Sequence, residues 1–309
     1  MERDATIHVA GHAGLVGGAI VRALGGAGYE RVLTVPHGEL DLTDGAAVDR
    51  FYATQRPHYV FLAAARAGGI KANGARPAEF IRDNLAIQTN VIHGAWKNGV
   101  RKLLFLGSSC IYPRDCPQPI REEYLLTGPL EPSNAPYAIA KIAGVEMCRA
   151  YRRQYGFDAI SAMPTNVFGP GDDFDPETSH VLPALIRRFD EARSAGAEVV
   201  RIWGTGRALR EFIHADQLAA ALLFLMDHYS DERPINVGSG VELSILELAQ
   251  LVADVVGYSG RIETDPTMPD GTPRKLLDSS RLAALGWVHR GDFVAAVEAT
   301  HAWYRQQLA

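Results

Sequence analysis

Two short stretches of this chain concentrate groups able to move protons. Gly107-Ser108-Ser109-Cys110-Ile111-Tyr112-Pro113 carries hydroxyls and a thiol, and Tyr137-Ala138-Ile139-Ala140-Lys141 carries a phenol and an ammonium. A phenol of pKa ~10 serves as acid or base near neutrality only when a nearby cation favours its ionised form. Tyr137 and Lys141 are four residues apart, so on a helix they share a face and Lys141 can tune Tyr137. That pair suits reduction of a carbonyl, with Ser108 to hold the carbonyl oxygen. The thiol adds a second capability, because a Cys of pKa ~8.5 can take a proton from carbon once a neighbouring positive charge lowers its pKa. Ser108 and Cys110 are two residues apart, so in extended chain they point the same way while Ser109 turns inward. Cys148 reads as a small apolar residue of the helix after Lys141, and Cys116 as a loop residue without a partner.

The elements that must position these groups follow an alternating pattern. Short β-rich runs at 7–10, 32–35, 59–62, 102–106 and 159–163 are separated by helical patterns at 14–25, 43–55, 77–98 and 137–155. This rhythm predicts a Rossmann-type, doubly wound parallel sheet with helical crossovers, and places Ser108 and Cys110 at the carboxyl edge of its fourth strand, where open α/β sheets bind ligands. Beyond Gly169 the pattern loosens into Pro/Gly clusters at 169–171 and 269–273, with helices expected at 181–193 and 245–256. Residues 212–228 read as a helix, and Pro234-Ile235-Asn236-Val237-Gly238 as a strand that rejoins the sheet. The expected division is therefore discontinuous: 1–168 with about 212–240 form the cofactor-binding domain. A smaller α/β substrate-binding domain takes about 169–211 with 241–309.

Directly after the first strand comes Gly11-His12-Ala13-Gly14-Leu15-Val16-Gly17, a glycine turn that runs into an apolar helix. In that order, glycines let the backbone approach a pyrophosphate that sits on the free N–H groups of the helix start. The choice between NAD and NADP is read about 20 residues further on, where the chain holds Pro36-His37-Gly38-Glu39. His37 could donate to a 2′-phosphate and Glu39 could serve a 2′-hydroxyl, so the residues alone leave both open.

Composition narrows the class. The 309 residues are 47% hydrophobic and 22% charged with a net charge of −5, and no run of Lys or Arg exceeds two residues. Neither nucleic acid nor an anionic membrane is the expected partner. Three cysteines without a CxxC pair fit free thiols in a reducing compartment, and no apolar signal region or 18-residue apolar run is present, so the expected location is cytoplasmic. No metal site is expected.

The glycine turn, Ser108 and Tyr137-x-x-x-Lys141 together resemble the extended short-chain dehydrogenase/reductase superfamily. Gly68-Gly69-Ile70, Pro164-Thr165-Asn166, Ser179-His180-Val181, Arg187-Arg188-Phe189, Trp203-Gly204, Arg210-Glu211-Phe212 and Asp270-Gly271-Thr272-Pro273-Arg274-Lys275 extend the likeness to the GDP-L-fucose synthases over nearly the whole chain. That resemblance implies epimerisation at C3 and C5 of a GDP-4-keto-6-deoxy sugar, followed by NADPH-dependent reduction at C4. It implies Cys110 as base, His180 as the acid on the opposite face, Ser108 and Tyr137 on the enolate oxygen, and Lys141 on both Tyr137 and the nicotinamide ribose. NADP(H) contacts are implied at Gly11, Gly14, Leu15, Val16 and Gly17 in the loop and at His37 and Asp41 after the second strand. Leu106, Gly107, Ser108, Lys141, Pro164, Thr165, Asn166 and His180 complete that set around the nicotinamide. Arg188, Trp203, Arg210, Asp270 and Lys275 are implied on the GDP-sugar, two guanidiniums and an ammonium being suited to a diphosphate. Some members carry arginines where this chain has His12-Ala13 and Pro36-His37.

Related chemistries make different demands. A 4,6-dehydratase wants an acid pair beside its Ser, where this chain has Cys110-Ile111, and a simple 4-epimerase leaves Cys110 and His180 without a duty. A relative acting on another GDP-4-keto sugar, such as a deoxyheptose, would use the same residues. A non-catalytic NADP(H) sensor would not need Ser108, Tyr137 and Lys141 together. The long helices at 77–98 and 137–155 are the expected homodimer face.

Overall fold

The computed structural model describes residues 1–268 and 270–308; Pro269, at one end of the expected 269–273 cluster, and Ala309 lie outside the described residues. The first half alternates as expected: β1 (Ile7–Ala10), α1 (Leu15–Gly26), β2 (Val32–Leu33), α2 (Gly45–Gln55), β3 (Tyr59–Leu62), α3 (Ile70–Ala75), α4 (Pro77–Lys97), β4 (Lys102–Leu106), α5 (Ala135–Tyr155) and β5 (Asp158–Pro164). The second half runs β6 (Asn166–Phe168), α6 (Val181–Ala195), β7 (Val199–Trp203), β8 (Leu209–His214), α7 (Ala215–His228) and β9 (Ile235–Val237). It ends with β10 (Glu242–Ser244), α8 (Ile245–Val256), β11 (Arg261–Asp265), β12 (Arg274–Lys275), α9 (Ser280–Ala284) and α10 (Phe293–Leu308).

The main sheet has the order β2-β1-β3-β4-β5-β9, and every pairing in it is parallel. Strands β1, β3 and β4 are buried along their whole length, as a sheet covered on both faces requires. Helices α1 and α7 pack on one face around Ile20, Leu24, Leu222 and Leu225, and α2, α4 and α5 on the other around Tyr52, Ile92, Phe105 and Val145. The chain steps from β1 outward to β2, then returns across to β3. That reversal opens a crevice at the carboxyl ends of β1 and β3, which is where such sheets take ligands.

The strand at Pro234–Gly238 does rejoin the sheet, as β9 beside β5. Its helix α7 is anchored by a buried cation: Lys102 Nζ donates to the carbonyls of Met226 at 2.8 Å and Tyr229 at 2.5 Å, at the negative end of the helix. Two expectations change. Residues 212–214 are strand, not helix, because β8 runs straight into α7 with His214 as its N-cap, accepting the Asp216 N–H through Nδ1 at 3.3 Å. The second strand stops at Leu33 instead of residue 35.

The rest forms two small sheets. One joins β10, β8, β12 and β6, and the other pairs β7 with β11. Helices α6, α8 and α10 cover them around Phe189, Val252 and Tyr304. A capping box starts α8: Ser244 and Glu247 satisfy each other's backbone N–H groups, at 3.1 and 2.8 Å. Among the described residues no helix is long and apolar enough to cross a membrane.

Candidate active site

The glycine turn lies at the switch in strand order. Gly11 has φ +87°, and a Cβ there would meet the Ala64 backbone at 2.6 Å; one on Gly17 would lie 2.0 Å from the Gly11 carbonyl oxygen. Both positions must be glycine for the turn to close. Gly14 caps α1 without a side chain, so no side-chain oxygen takes the N–H groups of the first turn, and these with the helix dipole form a phosphate cradle. Nearby, buried polar atoms stand without partners: Asp172 Oδ2 and His214 Nε2, the latter beside Gly169. A cradle that side chains would fill, rimmed by unpaired polar atoms, fits a dinucleotide. His37 and Asp41 lie exposed beyond β2, and the Asp41 carboxylate accepts the Thr43 N–H and hydroxyl, both at 2.8 Å.

At the end of β4 the backbone does not remain extended. Residues 109–111 form one turn of 3-10 helix capped by Ser108, whose Oγ accepts the Cys110 N–H at 3.2 Å. The pleat therefore does not align Ser108 with Cys110; the cap does, and Ser109 is buried as expected. Accepting that bond leaves the Ser108 hydroxyl its one proton to donate and a second lone pair.

Tyr137 and Lys141 share a face of α5 as the spacing requires. Lys141 is buried, donates to the Leu106 carbonyl at 2.7 Å, and lies 5.8 Å from the Tyr137 ring centroid. Burial pushes the Lys141 ammonium down to about 7, and burial together with the neighbouring Cys110 thiolate pushes the Tyr137 phenol well above its ordinary value. In this state desolvation outweighs the charge tuning expected of Lys141, and Ser108 supplies the opposing hydrogen bond.

Around Cys110 the order reverses. Burial alone would raise the thiol, but the Lys275 ammonium with hydrogen bonds from Ser108, Lys275 and Asn134 holds it below its ordinary value. Asn134 Nδ2 lies 3.2 Å and Lys275 Nζ 3.6 Å from Sγ. Asn134 stands at the N-cap of α5, yet its side chain makes no cap; it turns to the thiol and leaves Oδ1 buried without a partner. Sequence reasoning missed its role because Asn before a helix normally signals a cap.

His180 heads α6, is exposed, and stands in a cleft wall crowded enough that desolvation lowers its pKa despite the nearby Asp173 carboxylate. Gly69 sets this wall: its N–H donates to the Thr178 carbonyl at 2.8 Å, and a Cβ there would lie 2.6 Å from the Ser179 carbonyl oxygen. The Asp173 carboxylate accepts both the Thr178 hydroxyl and, at 2.9 Å, the Asp175 N–H, closing the loop that carries His180. Pro164 ends β5, Thr165 links it to β6 and Asn166 begins β6; Thr165 Oγ1 and Asn166 Nδ2 both donate to the Glu211 carbonyl, at 3.1 and 2.7 Å. Leu106 and Gly107 close the floor, Gly107 bonding the Ala162 carbonyl at 2.9 Å.

The remaining candidates surround β7 and β8. Trp203 is 49% exposed, a broad apolar surface beside the turn at Gly204. Asp270 accepts the Thr205 N–H at 2.7 Å and the Thr205 hydroxyl at 2.9 Å, so its carboxylate fastens that turn. Arg188 donates to the Arg201 carbonyl at 2.7 Å, and Arg210, in register with Lys275 across β8 and β12, faces Cys110 and Asp270. Buried Glu211, to which the sequence assigned no role of its own, accepts the N–H groups of Gly240 at 2.7 Å and Leu277 at 3.0 Å, tying three separated segments together.

Comparison with known proteins agrees with this geometry. Residues 7–238 match the model of the NAD dependent epimerase/dehydratase family. The chain is 58% identical over 307 residues to GDP-L-fucose synthase 1 of Arabidopsis thaliana, covering 99% of this chain and 95% of that one. A GDP-6-OMe-4-keto-L-xylo-heptose reductase from C. jejuni superposes with TM-score 0.94 at 36% identity over 99% of both chains. A GDP-L-fucose synthetase from Naegleria fowleri bound to NADP superposes at 0.92, with 28% identity over 100% of this chain and 96% of that one. With a family model spanning most of its length and relatives covering nearly all of it, the chain belongs to the NAD dependent epimerase/dehydratase family.

Proposed function

We propose that this chain is an NADP-dependent epimerase and reductase that converts GDP-4-keto-6-deoxy-D-mannose to GDP-L-fucose, inverting C3 and C5 before reducing the C4 ketone. The observation that carries the reading is a thiol held below its ordinary pKa beside the Ser108 and Tyr137 pair, above a dinucleotide cradle. A plain reductase has no use for that thiol. The 58% identity to a GDP-L-fucose synthase, against 36% to the heptose reductase, supports the 6-deoxyhexose as substrate.

The C4 ketone acidifies the hydrogens at C3 and C5. Cys110 takes the two protons in turn: the C–H bond breaks, S–H forms, and the electron pair moves to the ketone oxygen as an enolate. The thiol gives its proton to solvent before the second abstraction. Ser108 donates to that oxygen with Tyr137, the electrostatic stabilisation that dominates such steps. His180 returns a proton from the opposite face, and the orientation of its loop depends on Gly69 and Asp173. When bound, NADPH supplies hydride to C4. Tyr137 would then protonate the alkoxide, while Lys141 would hold the nicotinamide ribose. Gly11, Gly14, Leu15, Val16 and Gly17 would hold the pyrophosphate, His37 and Asp41 the adenosine end, and Pro164, Thr165 and Asn166 the nicotinamide.

The domain division follows this split, with the cofactor on 1–168 and about 212–240. The GDP-sugar lies against the remainder, through Arg188, Trp203, Arg210, Asp270 and Lys275. A homodimer through α4 and α5 is part of the same reading, supported by half-exposed Tyr155 stacked on Trp96 with centroids 4.1 Å apart, and so is a cytoplasmic location. The test is NADPH consumption with GDP-4-keto-6-deoxy-D-mannose against a GDP-4-keto-heptose. Equal kcat/KM for the two overturns the substrate assignment.

A further inference from the structure

We infer that Lys275 has a duty apart from the nucleotide: it is the positioning residue that keeps Cys110 in its thiolate form, so the carbon base is armed by a strand 165 residues away. The inference rests on the reading of Cys110 as base. Lys275 Nζ stands 3.6 Å from Sγ, and among the described residues it pairs with no carboxylate within ion-pair distance. Its neighbours are already committed. Arg274 forks onto Glu242 at 2.8 Å, and Glu131, the carboxylate of the small pocket behind the thiol, is taken by Arg114 at 3.5 Å and by the Ser133 hydroxyl at 3.1 Å. The anion left for Lys275 is the thiolate.

The strand that carries Lys275 is fixed at several points. Residues 274–275 pair with β8, Leu276 N–H donates to Gln118 Oε1 at 3.0 Å, and Leu277 N–H donates to buried Glu211. Ile120 closes the other side, its N–H donating to the Leu276 carbonyl at 2.7 Å. A long, mobile side chain thus starts from a rigid backbone, which suits it to hold a charge in place. The other groups facing the thiol are Asn134, which donates to it, Ser108, Tyr137, and the Arg210 guanidinium; Cys116 also lies within the field of Lys275. Asn134 orients Sγ but carries no charge, Tyr137 cannot supply one, and the Arg210 guanidinium donates to the Leu209 carbonyl at 2.8 Å and makes no hydrogen bond to Sγ. The direction of the thiol's titration, below its ordinary value in spite of burial, agrees with an ammonium at this distance.

The test needs no sugar nucleotide, so its failure is separable from failure of the proposed reaction. The full-length protein is alkylated with iodoacetamide across a pH series, and modification of Cys110 is followed by peptide mass mapping. Lys275→Met should raise the midpoint of Cys110 alkylation by about one pH unit or more and slow the reaction at pH 7 about tenfold. Lys275→Arg, which keeps the charge, should restore most of the parent midpoint, and both variants should keep the parent's circular dichroism. A midpoint unmoved by Lys275→Met, or one as high in Lys275→Arg as in Lys275→Met, overturns the inference.

Discussion

The two chemical halves of the site are built in opposite ways. The half proposed for hydride transfer, Ser108, Tyr137 and Lys141, stands at the carboxyl end of β4 and on one helix, and desolvation dominates the charge states of its Tyr137 and Lys141. The carbon-acid half is assembled from distant segments: Cys110 after β4, Asn134 before α5, His180 at the head of α6, and Lys275 on β12. Burial there opposes the needed charge state, and the Lys275 ammonium together with hydrogen bonds from Ser108, Lys275 and Asn134 outweighs it. Here the groups proposed for reduction come from one supersecondary unit, whereas the thiol draws its charge partner from a second segment.

Variants that strike one half should leave the other measurable. Cys110→Ser should lower solvent deuterium incorporation at C3 and C5 about 10³-fold or more, since a hydroxyl replaces the thiolate, while NADPH affinity from fluorescence titration stays near the parent value. Tyr137→Phe should strike the reduction hardest, with a smaller loss of C3/C5 exchange because Tyr137 also helps hold the enolate oxygen. NADPH oxidation with substrate should fall about 10²- to 10⁴-fold, the usual worth of a positioned acid. Normal turnover in this variant would remove Tyr137 from the mechanism.

Gly69→Ala probes the wall that carries His180. Its new Cβ would lie 2.6 Å from the Ser179 carbonyl oxygen, so the loop must shift. Loss of about 10²-fold in C3/C5 inversion is expected, with NADPH binding intact. A smaller effect tests burial in the hydride half. Lys141 is protonated at ~10.4 when unfolded but at about 7 when folded, so its desolvation penalty is full below pH 7 and fades as pH rises from 7 towards 10. Lys141→Met should therefore raise the melting temperature by a few degrees at pH 6, and by less at pH 9. A gain that grows with pH would reverse the sign and contradict the burial account.

The same contrast explains what could be read from the sequence. Glycine spacing and the Tyr137 to Lys141 interval are local, so the cradle, α5 and the parallel sheet were legible. The supports of Cys110 were not. Lys275 and Glu211 acquire their duties only through the β8 and β12 pairing, which no local pattern encodes. Residues 212–214 were misread because their apolar run continues into α7 and the boundary is capped by His214, where Ser, Thr, Asp or Asn would have signalled a start. The turn at 109–111 was hidden likewise, since a short run after a strand reads as more strand until Ser108 is seen to cap it.

The central claim is that one site performs carbon-acid chemistry and then reduction. NMR of the product formed from GDP-4-keto-6-deoxy-D-mannose and NADPH in heavy water tests both together. The account predicts GDP-L-fucose with deuterium at C3 and C5. A C4-reduced sugar that retains its C3 and C5 configuration and carries no deuterium there would contradict it.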